Sequence, residues 1–98
     1  MLVRVELVPA AQAEARDARR WYASRSKEAA DRFLAELDRV IAMIAESPTR
    51  WPEYRHGTRR IRLRRFPYSA IYRVQAEHVL VVAIAHHRQK PGYWQRRR

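Results

Sequence analysis

Apolar and polar residues alternate at the start of this chain. Val3, Val5 and Leu7 fall on one side of an extended segment and Leu2, Arg4 and Glu6 on the other, until Pro9 ends the pattern. Period-two spacing predicts a half-buried strand over residues 2–8. From residue 10 the period lengthens: Ala11, Ala15, Ala18 and Tyr22 line one stripe of a helix over 10–23, built of small residues that let a neighbour approach closely. Ser24-Arg25-Ser26 interrupts it, and Ser26 is an N-cap with Glu28 in the first turn, where negative charge suits the helix dipole. The second helix carries Ala30, Phe33, Leu34, Leu37, Ile41 and Ile44 at helical spacing and ends before Ser47-Pro48. Its large apolar side chains contribute about 1.5–3 kcal/mol each on burial, before entropy is subtracted, which makes it the main core element.

After a loop containing Trp51-Pro52 and Gly57, three strand-like runs follow, over 59–65, 68–75 and 78–86. Their short connections force antiparallel hairpins. The expected fold is α+β: an N-terminal strand, an α-helical hairpin and a three-stranded antiparallel meander, with the helices on one face of the sheet. If strands two and three turn at Phe66-Pro67, Leu63 lies opposite Ala70 and Ile61 opposite Tyr72, so Arg60, Arg62, Arg64 and Arg73 share the other face. Continuing the parity into strand four puts Val79, Val81, Ala83 and Ala85 under the helices. Leu80, Val82, Ile84 and His86 then join the arginines, and such a mixed surface calls for a cover.

Composition sharpens this. Ninety-eight residues make one domain, with a basic tail over 88–98. The net charge of +11 lies in the second half: residues 1–49 hold eight Lys/Arg and eight Asp/Glu, whereas residues 50–98 hold thirteen basic residues against Glu53 and Glu77. That asymmetry is an address for an anionic partner. Two like charges about 6 Å apart repel by under ~1 kcal/mol in water, but the cost climbs when the face is dried, so a covering partner must bring negative charge. Nineteen of the 21 basic residues are arginine, which binds oxyanions in a bidentate fork but also accumulates through codon bias. The absence of cysteine removes disulfides and thiolate metal sites and makes a reducing cytoplasm the expected compartment. Arg4 and Glu6 interrupt any signal-peptide-like run, and the longest apolar stretch, 79–85, is far below the roughly 20 residues that span a bilayer.

No phosphate-binding glycine loop or nucleophile elbow is present, and no cofactor or metal is expected. His86 and His87 are adjacent on or just past a strand and point to opposite sides. Either is a general base in principle, although the sequence shows no partner for it. Tyr93 and Trp94 lie between Arg88/Lys90 and the final arginines. They either stack on bases or pin the tail by packing, and packing is the preferred expectation.

Several local signatures follow this element order. They are Arg32-Phe33-Leu34 with Leu37, Ser47-Pro48 with Trp51-Pro52, and Arg59-Arg60-Ile61-Arg62-Leu63. To these are added Phe66-Pro67-Tyr68-Ser69-Ala70-Ile71-Tyr72-Arg73-Val74, Ala83-Ile84-Ala85-His86-His87-Arg88 and Pro91-Gly92-Tyr93-Trp94. In combination, over nearly the whole chain, they resemble the RelE/ParE toxin superfamily of bacterial type II toxin–antitoxin systems.

The resemblance implies a cytoplasmic toxin neutralised by a cognate antitoxin, whose acidic and apolar segment wraps it. On the parity above, the antitoxin-binding surface is Arg60, Arg62, Arg64, Arg73, Leu80, Val82 and Ile84. The superfamily divides into RelE-like ribosome-dependent messenger RNA endoribonucleases and ParE-like toxins that poison DNA gyrase without nuclease activity. The nuclease pattern would fall on Arg60 and Arg62, on Ser69, on Arg88 or Lys90, and on Tyr93 or Trp94. Ser69 departs from it, because family nucleases place an arginine there to clamp the phosphate. The ParE-like reading is therefore favoured, with no catalytic residue and with Arg88, Tyr93 and Trp94 as the target-binding guess. The alternatives are the RelE-like nuclease and a non-toxic basic nucleic-acid-binding module.

Overall fold

The computed structural model describes residues 2–98. Strand β1 (Arg4–Leu7) leads into helices α1 (Pro9–Ala23) and α2 (Lys27–Glu46), and a single 3-10 turn (Arg55–Gly57) precedes β2 (Arg59–Arg62), β3 (Tyr68–Val74) and β4 (His78–His86). The four strands form one mixed sheet in the order β1-β4-β3-β2, with β1 parallel to β4 and the other pairs antiparallel. The sequence pattern left the place of β1 open. The α-helical hairpin returns the chain to the side from which it set out, so β4 docks beside β1 and the parallel crossover closes.

Both helix starts follow from local chemistry. Ser26 Oγ accepts the Ala29 N–H at 3.0 Å, as an N-cap should. Pro9 stands in the first turn of α1, where its missing N–H costs nothing. The helices cover one face of the sheet with Ala11 and Ala18 of α1 and with Ala30, Phe33, Leu37, Val40 and Ile44 of α2. The α2 stripe is rotated from the expected one: Leu34 is exposed and Val40 is fully buried. Spacing alone accommodated either, and the close approach of the alanine-lined α1 decided which edge of α2 turned inward. Tyr72 is fully buried, and its hydroxyl donates to the Pro48 carbonyl at 2.7 Å, tying β3 to the end of α2. Desolvation pushes its pKa up to about 12, so the hydroxyl stays a donor.

The β2–β3 register is tighter than expected by two residues, with Ile61 opposite Ala70 and Arg62 opposite Ser69. A two-residue slip preserves parity, so Arg60 and Arg62 still face away from the helices. Strand β4 behaves otherwise. Val79, Leu80 and Val81 pair with Val74, Arg73 and Tyr72, but Ala83 pairs with Ile71, which leaves Val82 as an extra residue in a bulge. Beyond it the faces exchange. Ile84 and His86 lie on the helix side with Ala70 and Tyr68, and Ala83 and Ala85 lie on the arginine side. The expectation that Val82 and Ile84 form an open aliphatic strip is therefore overturned, since both are buried. Leu80 keeps its expected side and is half-buried.

Candidate functional site

On the sheet face away from the helices, Arg60 and Arg62 flank a cleft of about 130 Å³ walled by Ser69, Ile71 and Ala85 from the sheet and by His87, Lys90, Pro91, Tyr93 and Trp94 from the tail. Arg60 holds its guanidinium 4.2 Å from the Tyr54 ring centroid, a cation–π contact that orients it. Neither Arg60, Arg62 nor Lys90 has an ion-pair partner among the described residues, and no carboxylate lines the cleft. The floor is built rather than open: Ser69 is buried, and its hydroxyl lies 3.1 Å from His87 Nε2. Partial burial holds the His87 pKa below the usual imidazole range. Arg62, His86 and Arg60 add to this, against a bond to the Tyr68 backbone that pulls the other way. The imidazole is thus neutral at pH 7, in a cleft whose fixed charges are all positive, an arrangement suited to a single small anionic group.

The other expected arginines do not join it. Strand β2 ends at Arg62, and the following turn, with Arg65 at φ 66°, carries Arg64 to the α2 side, where its backbone N–H donates to Glu36 Oε2 at 2.6 Å. Arg73 is spent on structure. Its guanidinium donates to the His56 carbonyl and, at 3.1 Å, to the Gln95 carbonyl, clamping the 3-10 turn to the tail. Of the nuclease pattern, Arg60, Arg62, Lys90 and Tyr93 come together, whereas Arg88 points to a different groove beside Glu14, Asp17 and Trp21.

The tail is where the sequence reading needs most correction. Trp94 is 1% exposed and belongs to the core, its ring 6.0 Å from that of Tyr54 and 5.9 Å from His56. Packing was the preferred expectation for it, and the structure places Trp94 in the core and not on the surface expected of a target-binding residue. Gly92 permits the approach: its φ is 84°, and a Cβ there would stand 3.1 Å from His56 Nε2. Ile71 on this face is buried as well, while Leu80 stays half-buried.

Sequence reasoning missed Glu14. Strand β1 stops at Leu7, with Val8 N–H donating to Val81 O, so the β4 edge beyond the bulge has no strand beside it. Glu14 fills the gap from α1. Its Oε1 accepts the Ile84 N–H at 3.0 Å and Arg97 Nη1 at 2.8 Å, its Oε2 accepts the Tyr93 hydroxyl at 2.5 Å, and Arg97 Nη1 also reaches the Val82 carbonyl at 3.2 Å. Desolvation, reinforced by the bond to Glu14, raises the Tyr93 pKa far above its ordinary value, so the phenol is an inert donor at neutral pH. The only available signal was an acid at a helix position next to an alanine stripe, which reads equally well as solvated surface.

No group of three or more His, Cys, Asp or Glu that could hold a metal lies together among the described residues, and no helix there is long and apolar enough to cross a membrane. The family model described as "ParE toxin of type II toxin-antitoxin system, parDE" matches residues 5–91. Among solved structures, a chain described as "Chromosomal ParDE TA system from P. aeruginosa" superposes with a TM-score of 0.76 at 18% identity, over 87% of this chain and 96% of that one. No curated protein matches the chain.

Proposed function

Because the chain belongs to the ParE toxin family of type II toxin–antitoxin systems, we propose that it is a toxin held inactive by a cognate antitoxin in the cytoplasm, and that it acts by binding and poisoning DNA gyrase. The observation that carries the antitoxin part is the unpaired cationic cleft: Arg60, Arg62 and Lys90 face outward with no carboxylate of their own. An acidic segment laid across that face supplies the missing charge. Leu80 lies half-buried on the same sheet face, and the relative from P. aeruginosa is itself described as part of a ParDE system.

Support for a protein-poisoning action is chemical. Ser69 stands where the nucleases of the wider superfamily place an arginine, and the Tyr93 phenol is committed to Glu14. A second reading, RNA cleavage, is favoured by one observation, the neutral His87 beside Arg60, Arg62 and Lys90, since a neutral imidazole near three cations has the ingredients of a base with charge stabilisation.

Induced expression separates the two. Growth arrest with a DNA-damage response and trapped gyrase cleavage complexes, relieved by the acidic product of the neighbouring reading frame, is the expected result. Arrested translation with cut transcripts, abolished by His87→Ala, would establish the nuclease instead. Harmless expression would refute both.

A further inference from the structure

The cations of the cleft continue past both of its ends. At one end the Tyr54 ring carries two guanidinium groups, Arg60 at 4.2 Å from its centroid and Arg55 at 5.9 Å. At the other, Lys90, Pro91 and Tyr93 also line a shallow depression of about 340 Å³ that ends on Arg96. Arg55, Arg60, Arg62, Lys90 and Arg96 thus form one track. Arg60 is half-buried and the other four are exposed, and none of the five has an ion-pair partner among the described residues. The acids that border it are already engaged: Glu53, next to Tyr54 in the chain, pairs with Arg59 at 3.7 Å, and Glu14 holds Arg97, the Tyr93 hydroxyl and the Ile84 N–H.

An unpaired row of cations selects a polyanion, and the rings along it decide which kind. Single-stranded nucleic acids are held by aromatic faces on which unstacked bases sit. No such face is offered here. Trp94 is buried, Tyr54 lies under Arg60, and Tyr93 has Arg97 5.0 Å from its ring centroid and its hydroxyl on Glu14. What remains is positive charge without a stacking platform, the means by which a protein grips a duplex through its phosphates alone. Spacing agrees. Arg60 and Arg62 share one face of β2 two residues apart, about 6.6 Å along the strand, close to the step between successive phosphates of one DNA strand.

We infer that this track binds the sugar-phosphate backbone of double-stranded DNA, independently of base sequence. The guanidinium forks of Arg60 and Arg62 take paired phosphate oxygens, and Lys90, Arg55 and Arg96 act as point charges on either side. The inference goes beyond the gyrase reading, to which it adds a direct hold on the DNA that the enzyme cleaves, and it stands without that reading, because the binding needs no second protein.

The test is fluorescence anisotropy of a labelled 20-base-pair DNA duplex of mixed sequence, titrated with the full-length toxin between about 50 and 200 mM salt. Affinity is expected to fall with a slope of about −4 in log K against log salt concentration, as for about five phosphate contacts. Arg62→Gln with Lys90→Gln should weaken binding at least tenfold and make the slope shallower by about two, and Arg96→Gln alone should make it shallower by about one. Arg16→Gln with Arg19→Gln, at exposed positions of α1 on the helix side of the sheet, removes the same net charge and should stay within twofold of wild type. None of these five side chains makes a hydrogen bond or ion pair among the described residues, so circular dichroism and melting temperature should not change. Equal losses in the two double variants would reduce the effect to net charge and overturn the inference. So would tighter binding of a 20-nucleotide single-stranded RNA of the same sequence, or no saturable binding of the duplex at the lowest salt. A duplex bound as expected by a toxin that traps no gyrase cleavage complexes would sink the gyrase reading and uphold this one.

Discussion

The Tyr93 hydroxyl donates a 2.5 Å hydrogen bond to Glu14, 79 residues earlier in the chain, and this contact closes the fold. Glu14 serves at once as the missing neighbour of the β4 edge and the anchor of the tail through Arg97. Glu14→Ala strands the Ile84 N–H and the Tyr93 hydroxyl and leaves Arg97 only the Val82 carbonyl. The expected loss is about 2–3 kcal/mol of stability, read by urea denaturation. Faster proteolysis within the tail should accompany it; an unchanged urea midpoint would show that water replaces the carboxylate without cost.

Tyr93→Phe isolates the phenol. Only the bond to Glu14 is lost, so a stability decrease of about 1 kcal/mol is expected, with toxicity on expression retained. A folded Tyr93→Phe protein that has lost toxicity would give the hydroxyl a chemical part to play.

The bulge at Val82 makes a prediction that an unbroken strand would not. Val82→Asp buries an unpaired carboxylate in the core and should cost about 4 kcal/mol or more, enough to abolish folding at growth temperature. Leu80→Asp, at a half-buried position, should leave a folded protein. Equal tolerance of both in thermal melts would contradict the register.

His87 titrates with a definite sign. Its folded pKa lies below the unfolded value of about 6.5, so the unfolded chain takes up the proton more readily. The stability linked to neutral His87 is complete above that value and declines as pH falls through it toward the folded pKa. His87→Gln should flatten the dependence of the urea midpoint between pH 7 and pH 5. An unaltered slope would mean that the proton uptake belongs to another histidine.

Glu36 works in the opposite direction. Its hydrogen bonds from Arg39 hold the folded pKa below the unfolded one, so its contribution is present above about pH 4.3 and disappears as pH drops through the folded value. Glu36→Gln should therefore remove part of the acid-induced loss of stability below pH 4, measured by circular dichroism.

The amino-acid order by itself determined the element types, the helix N-cap at Ser26, the helix-facing side of β2 and β3, and the outward pair Arg60 and Arg62. Each of these is written in local spacing, and parity survives a slip of two residues. Three outcomes depended on tertiary structure. Leu34 and Val40 exchanged places because both fit a helical stripe and only the neighbour's approach selects one. Ile84 turned inward because a single bulged residue at Val82 reverses every later side chain, and no composition marks where a bulge forms. Tyr93 and Arg97 became a clamp because Glu14, far away in sequence, stood beside an edge that β1 was too short to cover, and Trp94 became core because the tail folds back onto Tyr54 and His56.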